Sequence, residues 1–139
     1  MRLNLVLLLI PLLVVIPSAS AHKTVDVGEY QIEVGWGDEP PVVGFRNFIV
    51  FEISKPGDVE GVKSGVKNAF QDLKATAKFG GVTKDLDIIS EVQSGHYSSK
   101  IIPTATGTIS IELRGTIDEF PVAIHIPLED VEDTPISDF

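Results

Sequence analysis

Between Tyr30 and Trp36 the chain alternates: Tyr30, Ile32, Val34 and Trp36 are aromatic or aliphatic, and Gln31 and Glu33 are polar. A two-residue period puts the first set on one face of a strand and the second on the other. The signature recurs along the chain, punctuated by Gly, Pro, Asn and Asp. Residues 48–53 (FIVFEI) predict a buried strand, and residues 73–79 and 82–88 flank Gly80-Gly81, a pair suited to a hairpin turn. Residues 95–102 predict a strand closed by Pro103. Within 108–114, Ile109, Ile111 and Leu113 alternate with Ser110 and Glu112; within 120–126, Val122, Ile124 and Ile126 share one face and His125 takes the other. The segment GDEPPVVGFRN, residues 37–47, reads as a long turn-rich connection. Residues 54–67, with three glycines and one proline, read as a mobile loop.

About seven short strands in roughly 100 residues, with no sustained helical period, predict an all-β, immunoglobulin-like antiparallel β-sandwich. Trp36, the only tryptophan, is its expected core anchor. A closed β-barrel satisfies the same alternation.

The first 21 residues stand outside this pattern. Arg2 precedes an uncharged apolar run of 12 residues, 5–16, then Pro17 and the small residues Ala19-Ser20-Ala21. That order predicts a signal peptide cut after Ala21. The run is short of the roughly 20 apolar residues that span a bilayer, and Pro11 interrupts it. The expected arrangement is a leader over 1–21 and one sandwich domain over 22–139, secreted or held at the cell surface, with no membrane span after cleavage. The acidic stretch LEDVEDTPISDF at the end reads as a short solvated tail; it has no D-x-[DN]-x-[DN]-G calcium loop.

Removing Arg2 with the leader takes the formal net charge from -9 to -10. Such a surface repels nucleic acid and anionic lipid and attracts cations or basic partners. Cysteine is absent and the only methionine is Met1. The domain therefore holds itself together without disulfides, and blue-copper, cysteine-zinc and iron–sulfur sites are excluded. Only nitrogen and oxygen ligands remain.

Three histidines supply the nitrogen: His22, His96 and His125. Cleavage after Ala21 makes His22 the first residue, where its α-amino group and Nδ1 form a two-nitrogen chelate suited to Cu(II). An α-amino group has a pKa of about 7.7–8.0, so it yields its proton to a metal at little cost near neutrality. His96, beside a glycine at a strand start, is the expected second ligand, and His125 a third. Enzymatic chemistry finds no support. Ser94, Ser98 and Ser99 near His96 form no nucleophile elbow, no Gly-rich phosphate loop opens a helix, and 118 residues leave little room for the extended substrate face of an oxidative polysaccharide enzyme.

The early Gly28-x-Tyr30-x-Ile32 and the late Tyr97, Pro103, Thr104 and Gly107 resemble the YtkA-like and CopC-like group of exported immunoglobulin-type domains. The resemblance covers most of residues 22–126, and within the group the chain looks like archaeal exported proteins. It implies a β-sandwich and, on the CopC side, Cu(II) held by the mature N-terminal histidine with a later Asp-x-His. His22 matches the first of these; at the second the chain reads Ser94-Gly95-His96, so the carry-over reaches His22 alone.

The expected function is a non-enzymatic binding domain of the cell envelope, a copper(II) carrier through His22. The alternative is a metal-free accessory or adhesion module that docks a protein partner through the 38–47 loop. There Val42, Val43 and Phe45 are more apolar than a connection needs. The same three residues would equally plug the end of the sandwich.

Overall fold

A computed structural model describes residues 21–134. The expected leader, apart from Ala21, and the last five residues lie outside them. The described chain is all-β, with ten strands: β1 Lys23–Val27, β2 Tyr30–Trp36, β3 Asn47–Pro56, β4 Lys63–Gly65, β5 Leu73–Phe79, β6 Val82–Asp85, β7 Ile89–Ser90, β8 His96–Ile101, β9 Ser110–Ile117 and β10 Phe120–Pro127. No helix long and apolar enough to cross a membrane occurs among the described residues.

The strands form two antiparallel sheets. One has the order β1-β2-β3-β8-β7, with β4 also on β3; the other has the order β10-β9-β5-β6. In immunoglobulin lettering, β2-β3-β8-β7 is the A-B-E-D sheet and β10-β9-β5-β6 is the G-F-C-C′ sheet. Strand β1 is an additional edge strand beside A.

Alternation explains the layering. Ile32, Val34 and Trp36 of β2, Ile49, Phe51 and Ile53 of β3, and Tyr97 and Ile101 of β8 are buried from the first sheet. Leu73 and Ala75 of β5, Ile111 and Leu113 of β9, and Val122 and Ile126 of β10 meet them from the second. Each large side chain removed from water contributes about 1.5–3 kcal/mol. Trp36 also places its indole N–H on the Glu129 carbonyl at 3.0 Å, so the largest core residue carries no unmet polar atom.

Gly80 and Gly81, at φ +53° and +84°, form the β5–β6 turn expected of them. Residues 54–67 are less loop-like than their composition suggests. Strand β3 runs on to Pro56, and β4 pairs with it through Ser54–Gly65, Lys55–Ser64 and Pro56–Lys63. At Ile53 the edge of β3 passes from one partner to another: Ile53 N–H donates to Gly95 O, and its carbonyl accepts from Val66 N, both at 2.8 Å. Gly65 and Gly95 meet backbone to backbone there, with no space for a Cβ on either. Composition flags glycines as breakers, whereas here they permit close approach.

The acidic C-terminal stretch is docked rather than free as far as Thr134. Its carboxylates are exposed, but Leu128 and Val131 are buried, and Val131 exchanges hydrogen bonds with Gly107 at 2.9 and 3.1 Å. Glu132 bridges to the 38–47 loop through Pro41 O and Val43 N, at 2.8 and 3.0 Å. Those bonds and buried Asn47, whose amide holds both Asp38 backbone groups, close this end of the sandwich.

Tyr97 performs a similar task at the opposite end of β8. Its hydroxyl donates to Val66 O at 2.5 Å and accepts from Ala69 N at 3.0 Å. Tyr97→Phe leaves both buried groups unpaired and is expected to lower the unfolding free energy by about 1–3 kcal/mol. Urea denaturation measures this; an unchanged midpoint would contradict the assignment.

Candidate functional site

The outward face of the first sheet carries the polar half of the alternation. Register aligns Thr24, Glu33, Glu52 and His96 in one row across β1, β2, β3 and β8. Glu33 and Glu52 are therefore directly opposite, a like-charge pair that costs stability unless cations attend it. Two imidazoles lie beside it. His22 Nδ1 lies 2.8 Å from Glu33 Oε1, and His96 Nε2 lies 4.0 Å from Glu52 Oε2.

His22 precedes β1 by one residue, and its ring folds onto the neighbouring strand over Gly35. A Cβ at residue 35 would collide with the imidazole Cδ2. The seat exists because that position has no side chain. His22 Nε2 lies 3.1 Å from the Trp36 carbonyl oxygen and 3.9 Å from Glu39 Oε1. A carbonyl only accepts, so Nε2 carries the proton in that bond. Glu33 Oε1 likewise only accepts, so Nδ1 carries a proton in its own 2.8 Å bond; the two bonds together fit the doubly protonated ring, and neutral His22 gives up one of them.

His22 and His96 line the same hollow, about 310 Å³ in volume, together with Glu33, Trp36, Val50 and Glu52. Their backbones sit three strand spacings apart and two residues out of register, about 16 Å. Among the described residues no group of three or more His, Asp or Glu side chains converges tightly enough to hold an ion as arranged. His125 lies elsewhere: it is exposed on the outer face of the second sheet, opposite Glu112, and the fold does not bring it to the other two.

Glu112 is the one carboxylate buried in a strand of the second sheet, and it is paired. Lys78 and Arg114 hydrogen-bond its two oxygens and hold its carboxyl below the ordinary 4.5, Lys78 contributing most. This cluster completes a β5–β9 ladder.

Of the three apolar residues in the 38–47 loop, Val43 packs against the core and Val42 is half-buried beside Glu132. Phe45 is 55% exposed, next to the Gly44 N–Pro103 O hydrogen bond. The loop thus plugs the sandwich with Pro41 and Val43 and presents Phe45 to solvent. Glu33, Glu39 and Glu52, which pair with the histidines, were not evident in the sequence. The alternation of Glu33 and Glu52 is visible there, but the register that sets those two opposite one another, and the loop path that brings Glu39 to the ring, are not.

No family model, curated protein or solved structure matches the chain.

Burial alone would lower the pKa of His22. The Glu33 hydrogen bond, the Trp36 carbonyl and the charges of Glu33 and Glu39 outweigh it, and the net direction is up from 6.5. Protonated His22 therefore favours the folded chain. That contribution is fully present below about pH 6.5 and is lost as pH rises through the higher folded value. An NMR titration of the His22 ring in the chain with Ala21 still attached is expected to give a midpoint above 6.5, falling in Glu33→Gln. A midpoint at or below 6.5 in the unsubstituted chain would contradict the geometry.

Proposed function

We propose that the protein is an exported, non-enzymatic binding domain of the cell envelope that carries Cu(II) at His22. The observation that carries this reading is the hydrogen bond from His22 Nε2–H to the Trp36 carbonyl. Histidines that bind metals typically donate their second ring N–H to a carbonyl or carboxylate, which fixes ring and tautomer. That bond keeps a proton on Nε2, so an ion that displaces the Nδ1 proton from its bond to Glu33 would take the nitrogen able to chelate with an α-amino group on the same residue. Processing after Ala21 would supply that amine.

The surroundings suit a cation. Glu33, Glu39 and Glu52 stand beside the ring or in the same hollow, and a carboxylate already 2.8 Å from Nδ1 can join the ligand set or balance the ion's charge. Nitrogen and oxygen donors match the tetragonal preference of Cu(II). His96 lines the far side of the hollow, too distant as placed to share an ion with His22. This reading accords with the resemblance to CopC-like domains at His22 and gives Glu33 the place that the missing Asp-x-His leaves open.

A second reading, a metal-free accessory or adhesion module that docks a protein partner, is favoured by exposed Phe45 in a loop otherwise tied down at both ends.

A Cu(II) competition titration separates the two. Chains that begin with a free His22 are expected to bind one equivalent tightly, and chains with a blocking Met before it only weakly. Affinity should rise with pH as the amine and Nδ1 lose their protons, and Glu33→Gln should weaken it. Equal, weak binding by both forms would sink the copper reading and leave the docking one.

A further inference from the structure

A second cavity shares no lining residue with the His22 hollow and belongs to no part of the reading above. It is a cleft of about 540 Å³ between the sheets, on the side where the chain crosses from β6 to β7. We propose that this cleft binds a neutral saccharide.

Three features carry the inference. First, the size falls in the range of small-molecule sites, about 300–1,000 Å³. Second, one wall is aromatic and pinned. Half-buried Phe70 is packed edge-on between Phe51 and Tyr97, with ring centroids 5.2 and 5.0 Å apart. The turn that carries it is held by Ala69 N on the Tyr97 hydroxyl and by Gln71 N on Asn68 O, both at 3.0 Å. A wall fixed before binding loses little freedom on binding.

Third, the rim sets groups that donate and accept beside groups that only accept. The amides of Asn68 and Gln71, the hydroxyl of Ser90 and the carboxylates of Asp85 and Asp87 border the apolar floor. Asp85 already takes the Thr76 hydroxyl at 3.2 Å; Asp87 has no side-chain partner among the described residues.

Ligand classes divide on this chemistry. Two carboxylates against Lys74, the single ammonium on the rim, oppose a phosphate or other anion. An acyl chain would leave the polar rim without partners, and a bare cation would not use the apolar floor. A sugar ring has apolar C–H faces to lay on an aromatic wall and an edge of hydroxyls that pair with amides and carboxylates. The inference stands apart from the copper reading, since no residue is shared between the two sites.

The test is a series of amide NMR titrations of the purified protein with cellohexaose, chitohexaose and mannohexaose up to roughly 10 mM, enough to detect millimolar affinity. At least one is expected to give saturable shifts at residues 68–71 and 85–90. Asp87→Ala, an exposed position, and Phe70→Leu, which keeps an apolar side chain, should each weaken that affinity about tenfold. No saturable shift with any of the three sugars, shifts confined to other residues, or unchanged affinity in either variant would overturn the proposal.

Discussion

Trp36 is the residue through which the layers of this protein are joined. Its side chain fills the core from the first sheet, its indole N–H secures the backbone of the C-terminal stretch at Glu129, and its carbonyl receives the imidazole of His22. A domain without cysteine has no covalent staple and must close its ends by packing and backbone pairing. Here one aromatic residue at the end of β2 serves the core, the C-terminal closure and the candidate site together. Removing its side chain would open a large cavity and take one of the bonds that hold the C-terminal stretch.

The two faces of the first sheet divide the labour. The inner face is nearly all aliphatic or aromatic and gives the sandwich its stability. The outer face accumulates Glu33 and Glu52 in direct opposition, an arrangement that is unfavourable alone and is relieved by protonated His22. A site that welcomes positive charge is thus built into the strand register, and its depth comes from the missing side chain at Gly35. The second sheet shows the contrasting solution. Glu112 is enclosed by Lys78 and Arg114, so its charge is already balanced.

Legibility followed burial. Tyr30–Trp36 and Leu73–Phe79 have the observed bounds in the alternation itself, because the first has one fully buried face and the second buries its inward face as far as Ala77. Strands β1, β4 and β7 left no such mark. They are short edge or side strands whose pairing is by backbone, and β4 and β7 bury no side chain fully. The docking of the acidic stretch was hidden for a related reason: two buried residues, Leu128 and Val131, are outnumbered by exposed carboxylates. At the site, the three histidines could be named from the sequence, but their partners could not. Glu33 meets His22, Glu52 meets His96, and His125 is on the other sheet because of register and topology, which a single sequence does not record.

The account turns on whether the bare Gly35 seats His22 and so presents Nδ1. Gly35→Ala tests this directly, read by the His22 ring titration and by Cu(II) affinity in the chain beginning at His22. If the account is right, the added methyl unseats the imidazole. The titration midpoint then drops toward 6.5, and copper affinity falls while the sheet stays folded. A Gly35→Ala chain that titrates and binds copper as the parent does would contradict it.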